Sequence, residues 1–142
     1  MGLTVAQMNT FFEPKGVAII GASHRSMKAG HVIFKNFVIN RQRNLFKAKL
    51  YPVNPNEKTI QGLQCFPSIL DINNEVDLAV IVVPAKIVSI IMKEIAKKGV
   101  KAVVIISSGF SEVGNNKLEE DVTAIAKKAG IRVLGPNCLG VY

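Results

Sequence analysis

Five short runs rich in Val, Ile and Leu, at residues 17–20, 50–53, 78–83, 103–106 and 132–134, recur along the chain with longer stretches of helical spacing among them. Near-continuous apolar runs of this length predict strands buried on both faces, as in a parallel sheet covered by helices on each side. Three of the intervals carry apolar stripes at the helical period: Ile33, Phe34, Phe37 and Val38; Ile87, Val88, Ile91, Met92 and Ile95; and Leu118, Val122, Ile125, Ala126 and Ala129. Gly99 and Gly130 follow the last two stripes, where a helix commonly ends in a left-handed residue. The pattern predicts the α/β class, with a Rossmann-like, doubly wound, mainly parallel five-stranded sheet and helices on both faces.

Between the second and third runs the chain carries Pro55, Gly62 and Pro67, which predict turns and at most one short helix beginning after Ser68. No internal repeat, low-complexity tract or linker interrupts the pattern, and 142 residues at 49% hydrophobic content fit a single domain over residues 1–142. No apolar run approaches the roughly 20 residues that span a bilayer. Residues 1–13 lack a basic segment followed by an apolar core. The expectation is a cytoplasmic protein without a membrane partner. Cys65 and Cys138 lack metal-ligand spacing and are too few for a disulfide scaffold, which agrees with a reducing compartment.

The net charge of +8 is unevenly spread: residues 1–60 hold nine basic and two acidic side chains, the remainder nine and eight. That asymmetry predicts an anionic partner for the N-terminal half, against the plainer reading of a solvated basic face. With 6% aromatic residues, no Trp and no recognition motif, nucleic acid is not the expected anion. A small phosphorylated ligand is.

Ligands of open parallel sheets bind beyond the carboxyl ends of the strands. At those ends stand Gly21, Ala22 and Ser23; Asn54 and Pro55; Val83 and Pro84; Ser107, Ser108 and Gly109; and the run from Gly135 to Gly140. Small and hydrogen-bonding residues of this kind suit a ligand held by backbone groups and hydroxyls. A glycine closing the first strand lets backbone approach a diphosphate, and the helix that follows offers unpaired N–H groups. The dinucleotide fingerprint G-x-G-x-x-G would need glycines at Ser23 and Ser26, and an NAD site an acid at the end of the second strand, where Val53 and Asn54 stand. The loop running to Gly30 instead holds His24, Arg25 and Lys28, side chains able to face a phosphate or simply to be solvated. Asp71, Glu75 and Asp77 lie close in sequence and read as turn residues rather than a metal site. Replacing Gly21 by Val is expected to weaken phosphate binding with the fold left intact.

Six segments, Phe12-Glu13-Pro14-Lys15-Gly16-Val17-Ala18-Ile19-Ile20-Gly21-Ala22-Ser23, Tyr51-Pro52-Val53-Asn54-Pro55, Val76-Asp77-Leu78-Ala79-Val80, Val83-Pro84-Ala85, Ser108-Gly109-Phe110-Ser111-Glu112 and Gly135-Pro136-Asn137-Cys138-Leu139-Gly140, occur in this order. Together they resemble the N-terminal coenzyme A-binding domain of the NDP-forming acyl-CoA synthetases, which include ADP-forming acetate–CoA ligases and relatives of the succinyl-CoA synthetase alpha subunit. The resemblance covers essentially the whole chain. It implies CoA or acyl-CoA as ligand, with Gly21, Ala22 and Ser23 against the phosphates and Asn54 and Pro55 near the adenosine end; Lys28 and Gly30 of the basic loop are expected to join the phosphate site. Val83 and Pro84 would form another wall. Ser107, Ser108 and Gly109 would follow the pantetheine arm, and Asn137 and Cys138 the thiol end.

The synthetase reaction, acyl-CoA + ADP + phosphate ⇌ carboxylate + CoA + ATP, passes through a phosphohistidine in a following domain of the family. His24 and His31 do not match it. The resemblance therefore implies a chain that binds CoA without turnover of its own, as the N-terminal part of a larger synthetase with further domains or an ATP-grasp subunit as partners. A stand-alone CoA-binding regulatory or carrier module is the alternative. An NAD-binding redox domain is disfavoured by the missing acid.

Overall fold

The computed structural model describes residues 5–107, 109–110 and 113–135, with the side chains of Ala6 and Gln7 left aside. Three of the residues expected to contact CoA, Ser108, Asn137 and Cys138, lie outside the described residues. In chain order the elements are α1 (Val5–Phe12), β1 (Gly16–Ile20), α2 (Ala29–Gln42), β2 (Lys49–Val53), β3 (Thr59–Ile60), β4 (Leu63–Gln64), β5 (Leu78–Ile81), α3 (Ala85–Lys98), β6 (Ala102–Ile105), α4 (Asn116–Ala129) and β7 (Arg132–Leu134). A 3-10 turn, Ile69–Asp71, precedes β5.

Five strands form one parallel sheet in the order β2-β1-β5-β6-β7. Alternation along each strand splits the core into two layers. Ala18, Ile20, Ala79, Ile81, Val103 and Ile105 face one side, where they join Val88, Met92 and Ile95 of α3 and Val122 and Ala126 of α4. Val17, Ile19, Leu78, Val80 and Val104 face the other, with Phe34 of α2 and Phe11 of α1. The doubly wound arrangement predicted from the apolar runs is the one observed, and each predicted strand lies within one or two residues of its place.

Gly99 and Gly130 close α3 and α4 in the left-handed conformation, at φ +89° and +69°. Asp77 stands directly before β5 and outside any turn, unlike the turn role expected for it: its carboxylate accepts hydrogen bonds from the backbone N–H of Lys15 and Gly16, pinning the entrance to β1. Asp71 and Ser68 form a reciprocal cap on the 3-10 turn, so the short helical element after Ser68 is present. Two elements were not anticipated. Helix α1 places Phe11 in the core while Val5, Met8 and Phe12 stay exposed. The β3–β4 hairpin turns through Gln61 and Gly62, both at positive φ, the geometry of a two-residue turn whose twist matches its strands.

Strand order reverses between β1 and β5, since the chain runs from β1 outward to β2 and then returns across the sheet. The crevice beyond the carboxyl ends of these two neighbours is where such sheets bind ligands.

Candidate functional site

A cavity of about 490 Å³ lies at that reversal. It collects the exit of β1 (Gly21, Ser23), the start of α2 (Lys28 to Gly30), the loop after β2 (Asn54 to Glu57) and the loop from β5 into α3 (Val82 to Pro84, and Ile87). Of the residues anticipated for the ligand, Gly21, Ser23, Lys28, Gly30, Asn54, Pro55, Val83 and Pro84 are brought together here. Arg25 joins them. Ser107 and Gly109 sit at the next strand edge, outside this lining.

The cavity exists because two glycines let backbone pack on backbone. Gly21 leaves β1 at φ +98°, and a Cβ added there would come within 2.3 Å of the Val82 carbonyl oxygen. A Cβ on Gly30, the second residue of α2, would come within 1.9 Å of the Gly21 carbonyl oxygen. Gly30 thus seats the helix directly on the strand exit, a task that the dinucleotide fingerprint gives to its third glycine at a shorter spacing. The expectation that Gly21→Val would leave the fold intact is corrected by this geometry: any β-carbon at that position strains the turn and collides with the Val82 main chain leaving β5 before it meets a ligand.

Polar contacts fix the surrounding loops. Asn54 donates its amide to the carbonyl of Ala22, 2.9 Å away, and accepts from the N–H of Asn56 at 2.8 Å, tying the β2 loop to the β1 loop. Ala22, itself buried, acts through that carbonyl rather than by lining the cavity. The buried Ser23 hydroxyl accepts from the Arg25 N–H at 3.0 Å, and His31 Nδ1 lies 3.2 Å from the Ser23 carbonyl. The Ser107 hydroxyl accepts from the Val83 N–H at 3.1 Å and so positions the β5 exit. His24 is drawn to Glu57, with Nδ1 and Oε1 2.5 Å apart, rather than into the cavity.

The electrostatics favour an anion. Helices α2 and α3 both begin at the cavity wall, neither has a side-chain cap, and neither carries an acidic residue in its first turn. Two sets of backbone N–H groups and two positive dipole ends converge there. Arg25 and Lys28 add full charges, and among the described residues neither forms an ion pair. No group of His, Cys, Asp and Glu among the described residues could hold a metal ion. Burial pushes the Cys65 thiol above its ordinary value, with its Sγ 3.6 Å from the Asn54 carbonyl.

The sequence of the CoA-binding domain family matches residues 15–142. The chain belongs to this family. Among its relatives, the acetate–CoA ligase [ADP-forming] II of Archaeoglobus fulgidus is 52% identical over 140 residues, 97% of this chain and 20% of that protein. The acetate–CoA ligase [ADP-forming] of Methanocaldococcus jannaschii is 50% identical over 128 residues, 90% of this chain and 17% of that protein. In structure, the dinucleotide forming acetyl-coenzyme A synthetase 1 of Ca. Korarchaeum cryptofilum, solved with phosphate and ADP, superposes with a TM-score of 0.88 at 41% identity, over 94% of this chain and 28% of that one. This CoA-binding domain therefore spans about a fifth of the length of these two relatives. No helix among its described residues is long and apolar enough to cross a membrane.

Residues that line the cavity without having been expected there are Ala29, Asn56, Glu57, Val82 and Ile87. Ile87 carried no signal in the sequence, where it simply heads the apolar stripe of α3; its 40% exposure in the folded chain is what sets it apart from that stripe.

Proposed function

We propose that this cavity is the CoA site, and that the chain is the CoA-binding part of an ADP-forming acyl-CoA synthetase of the cytoplasm. The observation that carries the reading is the convergence of two uncapped helix N-termini on one basic cavity at the sheet's reversal point. Such ends hold phosphate oxygens through backbone N–H groups. Gly21 to Ser23 and the first turns of α2 and α3 would take the diphosphate, with Arg25 and Lys28 at the 3′-phosphate. Asn54, Pro55, Val83 and Pro84 would wall the adenosine. The pantetheine arm would run toward the edge formed by Ser107 to Gly109, and on toward Asn137 and Cys138.

CoA, when bound, supplies the thiol that accepts an acyl group. The residues described here hold and orient it. The relatives' greater length supports further synthetase domains, or a separate ATP-grasp subunit, as the source of acyl transfer and phosphate chemistry. An NAD reading lacks a ribose partner, because Asn54 stands where the acid is needed and both ends of its amide are engaged by Ala22 and Asn56.

Calorimetric titration with CoA, dephospho-CoA and NADH tests the assignment. CoA should bind more tightly than dephospho-CoA, and NADH should not compete. Equal affinity for the first two would remove Arg25 and Lys28 from the 3′-phosphate, and tight NADH binding would overturn the CoA reading.

A further inference from the structure

A second, smaller cavity of about 210 Å³ opens beside the first, with Pro55, Val83 and Ile87 walling both. It is below the ~300 Å³ at which cavities hold whole ligands, so it suits one part of a molecule that continues next door. Ile20, Val53, Ile69 and Ile91 make it an apolar slot. Two polar side chains break that lining, Ser68 at the foot of the 3-10 turn and Glu94 on the third turn of α3.

Ser68 and Glu94 are bonded to each other, and the bonding is lopsided. The Ser68 hydroxyl donates to Glu94 Oε1 and accepts from the Leu70 N–H, so its capacity is used. Glu94 Oε2 has no hydrogen-bond partner among the described residues. A carboxylate oxygen beside an apolar slot, aligned by a neighbouring hydroxyl, favours an occupant that brings an N–H donor and disfavours one that brings a carbonyl. Aromatic bases differ in that respect. Adenine carries an exocyclic amine where hypoxanthine carries a carbonyl oxygen.

We propose that the slot receives the adenine of CoA and that Glu94, held in place by Ser68, reads its exocyclic amine, making Glu94 a specificity-determining residue and Ser68 a positioning residue. The proposal rests on the reading that CoA occupies the adjoining cavity. It adds a base-selective contact from α3, an element that otherwise meets the ligand only at its N-terminus. The apolar walls supply affinity for any flat base, and the carboxylate supplies the choice among them.

The test is calorimetry on the full chain with CoA and with its deamino counterpart, in which hypoxanthine replaces adenine. CoA should bind at least about tenfold more tightly, the worth of one hydrogen bond to a charged group. In Glu94→Gln the amide can donate to the hypoxanthine carbonyl, so the preference should shrink toward unity or invert. Ser68→Ala should narrow the preference without inverting it. Equal binding of the two ligands by the unaltered protein, or an equal loss for both in Glu94→Gln, would overturn the proposal. The comparison in the unaltered protein stands even if a variant folds poorly. Failure of CoA itself to bind would overturn the underlying reading, an outcome distinct from loss of base selectivity.

Discussion

Gly30 rests on the carbonyl oxygen of Gly21 so closely that a Cβ on Gly30 would lie 1.9 Å from it. The contact is between main chains, and no side chain can rotate to relieve it. Gly30→Ala should therefore push α2 off the strand exit and destabilise the fold by about 1–3 kcal/mol, in the range of overpacked cores. Gly21→Ala should do the same, through its positive φ and the Val82 carbonyl. Urea unfolding midpoints measure both, and an unchanged midpoint for Gly30→Ala would show that the helix can back away at no cost.

Arg25 and Lys28 are exposed and without ion-pair partners among the described residues. Their replacement by Gln should leave stability within about 0.5 kcal/mol and weaken CoA binding. The loss should be largest at low ionic strength and fade as salt screens the phosphates. Titrations at two salt concentrations check this. A loss that salt leaves unchanged would assign the two side chains a role other than charge.

Asn54 ties the β2 loop to the β1 loop through its bond to the Ala22 carbonyl and braces its own loop through the Asn56 N–H. Asn54→Ala removes both and leaves the Ala22 carbonyl without that donor, at a cost of about 1–3 kcal/mol. CoA affinity should fall with it, because the β1 and β2 loops form facing walls of the cavity. A variant with full affinity would separate the loop tie from ligand binding.

Burial is the main cause of the raised Cys65 thiol, with Glu57 adding to it and the backbone around Asn54 and Phe66 opposing. A thiol raised in the folded state holds its proton after the unfolded chain has lost one. Its contribution to stability is therefore full below the unfolded value, about pH 8.5, and declines as pH rises from there through the folded value. In a Cys138→Ser background, Cys65 should react with thiol reagents far more slowly than in the urea-unfolded chain at pH 8. Matching rates would mean that the thiol is open to solvent in the native state.

The apolar runs and stripes announced the sheet, the three long helices and the glycine ends of α3 and α4, because those signals are periodic and local. Helix α1 escaped notice because Val5, Met8 and Phe12 remain exposed and only Phe11 commits to the core, leaving no clear stripe. The β3–β4 hairpin escaped because two-residue strands are too short to show alternation. At the site, the strand-end residues were legible from their chemistry and position. Ile87 and Glu94 read instead as ordinary members of an amphipathic helix.

Local pattern was enough to determine that this chain forms a parallel sheet with small, hydrogen-bonding residues at its carboxyl edge. Which of those residues meet was decided in three dimensions. Placing β1 beside β5 sets Gly21 against Val82, gathers the N-termini of α2 and α3 around one cavity, and leaves Ser107 and Gly109 at the next edge. It also brings Ser68 to Glu94 across 26 positions. Periodicity records which face of an element is buried, whereas the partners across that face depend on strand order and on how closely backbones can approach, and these emerge only when the layers close.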